Sequence, residues 1–334
     1  MDLKALPKVE LHRHLEGSIR CSTFLELARE THLDLSRAEL RRRTSMKGER
    51  PGFLRFLSKF ELYRGLYPSR EWIQRVAFEA AEDATREGIV HLELRFSPTH
   101  FGRRLGAKGE EVAEWIARGA RRAGISVRFL ATFGRDFGVK GNEPTTRAVE
   151  GTDVFSGLDL AGNEAVPARP FAPLFRRLKL PATIHAGEGG GPANVREAIE
   201  SFGALRIGHG IRAFRDPRVL ALARQQNVHF ELCPTSEIQT GVARGWTTHP
   251  AWRALSLGLK CSLNTDDPSI SGIGLPQEYQ RARQGGWSAG DLADVSIQAA
   301  RGTFMASRRE RDLLVARVRS AWEPVRGIIQ PKPR

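Results

Sequence analysis

Cysteine is scarce in this chain, which has three in 334 residues. Cys21, Cys233 and Cys261 lie far apart, and none belongs to a Cys-X-X-Cys pair. This spacing excludes both a disulfide framework and a thiolate zinc site. Any metal ion must therefore be bound by other side chains.

Long hydrophobic runs are also missing, since no apolar stretch reaches the length needed to span a bilayer. Residues 1–7 lack the apolar core of a signal peptide, so we expect a cytoplasmic protein with no membrane partner. The hydrophobic fraction of 40% is nevertheless high enough for a large folded core.

Net charge of +14 raises the possibility of nucleic-acid binding. The basic residues, however, are spread along the chain, and dense groups such as 41–43 and 308–311 lie in helical patterns near acidic residues. No aromatic-basic module of the kind that binds RNA accompanies them. We therefore expect solvated helix faces and no specific nucleic-acid partner, with nucleic-acid binding as a rival hypothesis of another class.

Short apolar runs alternate with helical patterns along the whole chain. Eight candidate strands are found, at residues 8–12, 89–96, 126–132, 154–160, 182–185, 204–208, 228–232 and 259–264. Helical segments such as 194–202 and 216–225 separate them, and a helical insertion at 21–86 follows the first strand. The pattern predicts an α/β protein, a single (β/α)₈ TIM barrel domain over residues 1–334. An open doubly wound sheet is disfavoured because no Gly-X-Gly-X-X-Gly follows the first strand.

Polar side chains with catalytic potential cluster at the predicted strand ends, where TIM barrels place their active sites. These residues are His12, His14, His185, Glu188, His209, Asp266 and Asp267. Each has an ordinary explanation by itself, such as a buried core histidine or an aspartate that caps a helix. Together, around one rim, they predict an active site.

Imidazole and carboxylate ligands without thiolate suit zinc or another divalent first-row metal. His12 and His14 share one face of a strand, and His185 with one of the two aspartates completes four protein ligands. A metal ion held in this way activates water. Glu188 can then transfer a proton without binding metal, while His209 and the second aspartate orient the water.

Six ordered motifs resemble those of the adenosine deaminase family of the amidohydrolase superfamily. They are PKVELHRHLEGS (7–18), DLAGNE (159–164), HAGE (185–188), RIGHG (206–210), CPTS (233–236) and NTDDP (264–268). The resemblance covers nearly the whole chain. It implies a metal-dependent barrel that hydrolyses adenosine or 2′-deoxyadenosine to inosine or 2′-deoxyinosine and ammonia in purine metabolism.

Carried over to this chain, the resemblance implies one zinc ion held by His12, His14, His185 and Asp266. It also implies that Glu188 donates a proton to purine N1, that His209 positions or deprotonates the water, and that Asp267 hydrogen-bonds the water and N7. The backbone N–H of Gly162 would meet N3. The implied substrate-binding residues are His14, Glu16, Gly162 and Asp267.

Two departures from the family concern Glu16 and Glu237. Glu16 stands where adenosine deaminases usually have the Asp that holds the ribose 5′-hydroxyl, and deaminases of free adenine also carry Glu there. The substrate alternatives are therefore adenine and a modified adenine nucleoside such as aminodeoxyfutalosine. Glu237 replaces the usual Asn after CPTS and is expected to alter the seventh loop. A remote alternative is a basic, non-catalytic binding protein on the same fold.

Residues 53–66 resemble the family's lid over the substrate, although ordinary helix packing explains the same pattern. The lid side chains would be Phe53, Leu54, Leu57 and Phe60. Arg13 is expected to point away from the metal, because adjacent strand residues face opposite sides. A charged substrate tail would instead meet Arg20, Arg64 or Arg135.

Overall fold

Eight parallel strands form one closed barrel in the computed structural model, which describes residues 2–64 and 66–327. The strands are β1 (Lys8–His14), β2 (Ile89–Phe96), β3 (Ser126–Gly134), β4 (Phe155–Ala161), β5 (Ala182–Ala186), β6 (Arg206–His209), β7 (His229–Leu232) and β8 (Lys260–Leu263). Each strand pairs with the next in sequence. A bridge between Arg13 and Asp266 joins β1 to the end of β8 and closes the sheet, with His14 N donating to Asp266 O over 2.8 Å. The predicted TIM barrel is confirmed.

Helices surround the barrel and form the insertion after β1. They are α1 (Cys21–Glu30), α2 (Arg37–Thr44), α3 (Phe53–Ser58), α4 (Arg70–Arg86), α5 (Pro98–Gly102), α6 (Gly109–Arg121), α7 (Gly138–Gly141), α8 (Glu143–Gly151), α9 (Ala172–Leu178), α10 (Pro192–Phe202), α11 (Pro217–Gln225), α12 (Pro234–Gln239), α13 (Pro268–Ser271), α14 (Leu275–Gln284), α15 (Ala289–Arg301) and α16 (Arg308–Arg326). Helices α1 to α4 confirm the predicted helical insertion at 21–86. Within 2–64 and 66–327, no helix is both long and apolar enough to cross a membrane.

Strand boundaries differ from the predicted ones by a few residues. Strand β1 runs on to His14 because His14 pairs with Arg95 of β2, so both histidines lie inside the strand. Strand β6 begins at Arg206 rather than at residue 204, since the N–H of Ala204 bonds back to Ala198 of α10. Likewise the N–H of Val228 bonds to the end of α11, which delays the start of β7. Ala204 and Val228 therefore bond to the ends of the preceding helices, although their apolar character predicted that they belong to strands.

Apolar side chains fill the layer between the helices and the sheet. Ile116 of α6, Val195 of α10 and Val318 of α16 are fully buried there, as are Leu94 and Ile184 of the strands. Burial of such side chains is the main stabilising contribution in this layer. It leaves the loops at the carboxyl ends of the strands free to carry a site.

Candidate metal and catalytic site

Four of the predicted side chains meet at the carboxyl end of the barrel. Nε2 of His12 lies 3.1 Å from Oδ1 of Asp266, and Nε2 of His14 lies 3.4 Å from the same oxygen. Nε2 of His14 also lies 3.2 Å from Nε2 of His185. All four side chains are buried. The residues expected to hold zinc are thus brought together from β1, β5 and the loop after β8.

The chemistry of this cluster fits a divalent metal ion. Nε2 of His12 is buried, and it has no hydrogen-bond partner among the described residues. Ligand atoms of His12, His185, His209 and Asp266 all lie within 4.8 Å of one another. Buried imidazole nitrogens that converge on a carboxylate are a typical ligand set for zinc. His209 belongs to the same group of atoms, although it was expected only to act on the water.

Carboxylates behind the cluster fix two of the imidazole rings. Nδ1 of His12 lies 2.7 Å from Oε2 of Glu231, and Nδ1 of His185 lies 2.9 Å from Oδ1 of Asp159. Because a carboxylate accepts, each Nδ1 is the donor in its pair, and each Nε2 faces the cluster. Ser236 Oγ donates to Oδ2 of Asp266 over 2.7 Å, which orients that carboxylate in turn.

Arg95 and Arg206 keep these supporting carboxylates ionised inside the barrel. Nη2 of Arg95 donates to Glu231 over 2.8 Å, and Nη1 lies 3.3 Å from Asp159. Nε of Arg206 lies 2.7 Å from the other oxygen of Glu231. Burial opposes ionisation of Glu231, but the two guanidinium groups outweigh it and hold its pKa well below the usual range. Sequence analysis missed the roles of Asp159, Glu231 and Arg95, although charged residues inside apolar strand patterns were a signal.

Glu188 stands beside the cluster in a form suited to proton donation. Its Oε2 lies 3.5 Å from Nε2 of His209. Burial first, then the charges of Asp266, Glu164 and Glu237, raise its pKa well above the usual value. This shift favours the protonated form of the Glu188 carboxyl group.

Glu164 holds the loop that carries Glu188. Its carboxylate accepts hydrogen bonds from the backbone N–H groups of Gly187, Glu188 and Gly189, at 2.7, 2.8 and 2.8 Å. Three such bonds to one carboxylate fix the turn after β5. This role was also missed, even though Glu164 ends one of the motifs.

His209 and Asp266 both adopt left-handed backbone conformations, each with φ of 62°. Non-glycine residues in this region are strained and are often found at active sites. Burial lowers the pKa of His209 well below its usual value, so its imidazole is neutral. Burial, followed by the charge of Asp266, raises the pKa of Asp267. The site thus combines a neutral imidazole with a second carboxyl group whose protonated form is favoured.

A cavity of about 370 Å³ opens onto the cluster, a volume within the range of small-molecule sites. The four predicted lid side chains line it: Phe53, Leu54, Leu57 and Phe60. The predicted lid segment 53–66 is not one continuous helix, because α3 ends at Ser58 and a 3₁₀ turn follows at Glu61–Tyr63. Position 65 lies outside the described residues.

Gly162 also lines the cavity, as expected for close approach of a ligand to its backbone. Its φ is +103°, and a Cβ atom there would lie 2.4 Å from Oδ2 of Asp136. Both the conformation and the space require glycine.

Glu16 is buried at the side of the cavity. Its Oε1 accepts from the N–H of Ser97 over 2.9 Å and lies 3.5 Å from Nδ1 of His100. Among residues 2–64 and 66–327, no group hydrogen-bonds to Oε2 of Glu16, which is buried. A buried carboxylate oxygen with no protein partner is suited to accept from a ligand.

Only one of the three arginines proposed for a charged substrate tail lines the cavity. Arg64 does so, with its guanidinium 5.3 Å from the centre of the Phe137 ring. Arg20 instead pairs with Glu82 and Asp83 of α4, and Arg135 donates to the carbonyl of His185.

Arg13 points away from the cluster, as expected for a residue between two inward-facing histidines. It pairs with Glu10 at 3.1 Å and with Glu87 at 2.9 Å. Its function is structural, since these contacts connect β1 to the end of α4.

A (β/α)₈ barrel with histidines and carboxylates gathered at the carboxyl ends of its strands defines a hydrolase of the amidohydrolase type. The family model for adenosine deaminase matches residues 7–320. The chain therefore belongs to the adenosine deaminase family and is an aminohydrolase. This membership argues against the remote alternative of a non-catalytic binding barrel.

Individual relatives agree with this placement. An adenosine deaminase of Aliivibrio fischeri is 33% identical over 329 residues, covering 94% of this chain and 98% of the relative. An amidohydrolase structure from Burkhoderia ambifaria with bound zinc has a TM-score of 0.87 at 26% identity, covering 96% of this chain and 91% of the other. The Arabidopsis ADAL structure with IMP has a TM-score of 0.86 at 26% identity, covering 97% and 99% of the two chains.

Proposed function

We propose that this chain is a zinc-dependent deaminase that hydrolyses adenosine and 2′-deoxyadenosine to inosine, 2′-deoxyinosine and ammonia in purine metabolism. One observation carries the proposal: Glu188, whose pKa is raised, lies beside His209 and the metal-type cluster at the cavity. Addition of water to an aromatic C=N bond needs both an activated water and a proton for the ring nitrogen.

His12, His14, His185 and Asp266 would hold the zinc ion. Their converging nitrogens and carboxylate oxygen support this assignment, as does the zinc bound in the Burkholderia ambifaria structure. Zinc, when bound, supplies a nucleophilic water at neutral pH. Burial lowers the pKa of His14, which favours the neutral imidazole that can bind a metal ion.

Three side chains of the protein would then move or hold protons. Glu188 donates its proton to N1 of the purine, which makes C6 electrophilic. His209 accepts a proton from the attacking water at Nε2 and passes it to the leaving amine. The water oxygen adds to C6 and saturates the C6–N1 bond. The C6–N6 bond then breaks as the C6–O bond becomes a carbonyl, and the hydroxyl proton returns to the Glu188 carboxylate, so the products are the 6-oxopurine and ammonia.

Asp267 and Gly162 would orient the ring. N7 of a purine accepts hydrogen bonds, so a protonated Asp267 is the form that can donate to it, and the raised pKa of Asp267 supports this role. The backbone N–H of Gly162 would donate to N3. His14, besides binding the metal ion, lines the cavity where the substrate would lie.

Glu16 supports a nucleoside as substrate rather than a nucleotide or free base. Its unpartnered Oε2 can accept a hydrogen bond from a sugar hydroxyl. A phosphate at the same place would meet a buried carboxylate and be repelled. A free base would leave the oxygen without a substrate partner. ADAL, by contrast, was solved with the nucleotide IMP.

A second candidate is deamination of a modified adenine nucleoside, such as aminodeoxyfutalosine. Arg64 favours it, because its guanidinium lines the cavity and forms no ion pair with a carboxylate among the described residues. An anionic extension beyond the sugar could reach this group.

The test compares kcat/KM of the zinc-loaded protein for adenosine, 2′-deoxyadenosine, adenine, AMP and aminodeoxyfutalosine. We expect the two nucleosides to exceed adenine and AMP by at least about a hundredfold, because unpaired polar groups penalise the wrong substrate. Higher kcat/KM for adenine, AMP or aminodeoxyfutalosine would overturn the proposed substrate. Absence of deamination with all five would overturn the proposed function.

Glu16→Gln provides a matched variant for the sugar end. It removes the charge with little change of shape, so the ratio of AMP to adenosine in kcat/KM should rise by about tenfold. An unchanged ratio would show that Glu16 does not select against phosphate.

A further inference from the structure

We propose that Glu237 is a positioning residue for catalysis, which accepts the Nδ1 proton of His209 and thereby leaves Nε2 free to receive a proton from the attacking water. The inference rests on the proposed function. It concerns a position where this chain departs from the family's usual Asn.

Glu237 is a fully buried carboxylate in the short helix α12. Its Oε1 accepts from the N–H of Cys233 over 2.8 Å. The same oxygen lies 3.5 Å from Nδ1 of His209. That separation is too long for a hydrogen bond, and Nδ1 of His209 has no hydrogen-bond partner among the described residues. Such contacts at active sites commonly tighten when the substrate binds.

His249 lies beside the other oxygen of Glu237, and the two groups form no hydrogen bond of correct geometry in residues 2–64 and 66–327. Its Nδ1 accepts from the N–H of Ala251 over 3.2 Å, so Nδ1 carries no proton. Burial lowers the pKa of His249 to about 4, although a hydrogen bond with the backbone of Pro234 opposes this shift. The neutral ring must therefore carry its one proton on Nε2, which lies 3.3 Å from Oε2 of Glu237.

The N–H of Cys233 bonds to the Glu237 carboxyl group and favours its ionised form. Burial and the neighbouring carboxylates Glu278 and Asp266 act in the opposite direction and raise its pKa. Oε1 already accepts from the N–H of Cys233, so it is an acceptor oxygen, and it is also the oxygen that faces Nδ1 of His209. It therefore selects the tautomer of His209 with the proton on Nδ1.

This tautomer directs the unprotonated Nε2 toward the reaction. Nε2 of His209 lies 3.5 Å from Oε2 of Glu188 and 3.9 Å from Oδ2 of Asp266. The arrangement repeats the pairing of His12 with Glu231 and of His185 with its own carboxylate. A third imidazole of the site thus has an acidic partner behind it.

Glu278 offers a matched control. It is also fully buried, and its Oε1 accepts from the N–H of Thr235, two residues before Glu237, over 3.0 Å. It has no direct contact with His209 among the described residues. Glu278→Gln therefore carries a similar structural change in the same region without removing the partner of His209.

The first test is ¹⁵N NMR of histidine-labelled, zinc-loaded protein, which distinguishes the two imidazole tautomers. The signal of His209 is assigned by its loss in His209→Asn. We expect the Nδ1–H tautomer for His209 in the unsubstituted protein. The Nε2–H tautomer would overturn the proposal, and this measurement needs no variant at Glu237.

The second test measures kcat, KM and zinc content for Glu237→Gln and Glu278→Gln with the best purine substrate. We expect kcat of Glu237→Gln to fall by roughly 10- to 100-fold with KM and zinc content unchanged, because its amide no longer enforces one tautomer. Glu278→Gln should stay within about twofold of the original kcat. Equal losses in both variants, or no loss in Glu237→Gln, would overturn the inference. Failure of the unsubstituted protein to deaminate any purine would instead overturn the proposed function, which the NMR result does not depend on.

Discussion

Nδ1 of His12 donates a hydrogen bond of 2.7 Å to Oε2 of Glu231 in the interior of the barrel. The same oxygen accepts from Arg95 over 2.8 Å, and the other oxygen of Glu231 lies 2.7 Å from Arg206. A TIM barrel usually fills its interior with branched aliphatic side chains. Here buried charges occupy that space, and they connect the orientation of a proposed metal ligand to the barrel itself.

Glu231→Gln should therefore weaken zinc binding. The neutral amide holds the His12 ring less firmly and makes its Nε2 a poorer ligand, so we expect zinc affinity to fall by about 10- to 100-fold. The change also leaves two buried guanidinium groups short of a counter-charge, at a cost of about 3 kcal/mol in the free energy of unfolding. Chelator competition measures the affinity, and urea unfolding measures the stability.

Glu10→Gln is the matched control. Glu10 lies on β1 and, like Glu231, is fully buried. It accepts from Thr265 and pairs with Arg13, and it forms no hydrogen bond or ion pair with His12 in the described part of the chain. Zinc affinity should be unchanged in this variant. Equal affinity in Glu231→Gln and the unsubstituted protein would contradict the proposed support of His12.

Glu188→Gln should separate metal binding from turnover. The amide cannot donate an acidic proton to the purine, so we expect kcat to fall by at least about 10²- to 10⁴-fold while zinc content stays the same. His12→Ala, in contrast, should lose zinc together with activity. Elemental analysis and steady-state kinetics distinguish the two outcomes, and zinc loss from Glu188→Gln would contradict a purely proton-transferring role.

The pH dependence of kcat/KM should follow the proton on Glu188. Burial, Asp266 and Glu164 raise its pKa, so the donor form persists to a higher pH than in an ordinary glutamate and is lost as the pH rises through that higher value. The activity should therefore fall on the alkaline side, well above the ordinary glutamate pKa of about 4.3. A decline that begins between pH 4 and 5 in a pH–rate profile would exclude this assignment.

Alternation along a single strand was enough to predict that His12 and His14 face one site, and strand ends predicted the positions of His185 and Asp266. These residues could be found because each depends on local periodicity and on one rule of the fold. Glu231 depends instead on contacts across the barrel with β1 and β2, which are far away in sequence. No local pattern states which strand faces which.

The same limit applies to the arginines. Arg64 lies in the helical insertion and Arg20 immediately precedes it, and the sequence could not tell which one reaches the cavity. The answer depends on how α4 packs, because its carboxylates Glu82 and Asp83 pair with Arg20. It also depends on the turn at Glu61–Tyr63, which ends next to Arg64.

Phe53 is the lid residue whose replacement should raise KM most. Its ring packs over Gly189 in the loop that carries Glu188, where a Cβ atom would lie 2.5 Å from the ring. Phe53→Ala removes apolar surface from the cavity wall, so we expect KM to rise by roughly tenfold and kcat to fall by less than about threefold. Arg55→Ala on the same helix is the control, because its guanidinium turns to the carbonyl of Arg50 and does not line the cavity. An unchanged KM in Phe53→Ala, or an equal rise in Arg55→Ala, would mean that α3 contributes helix packing rather than a lid over the substrate.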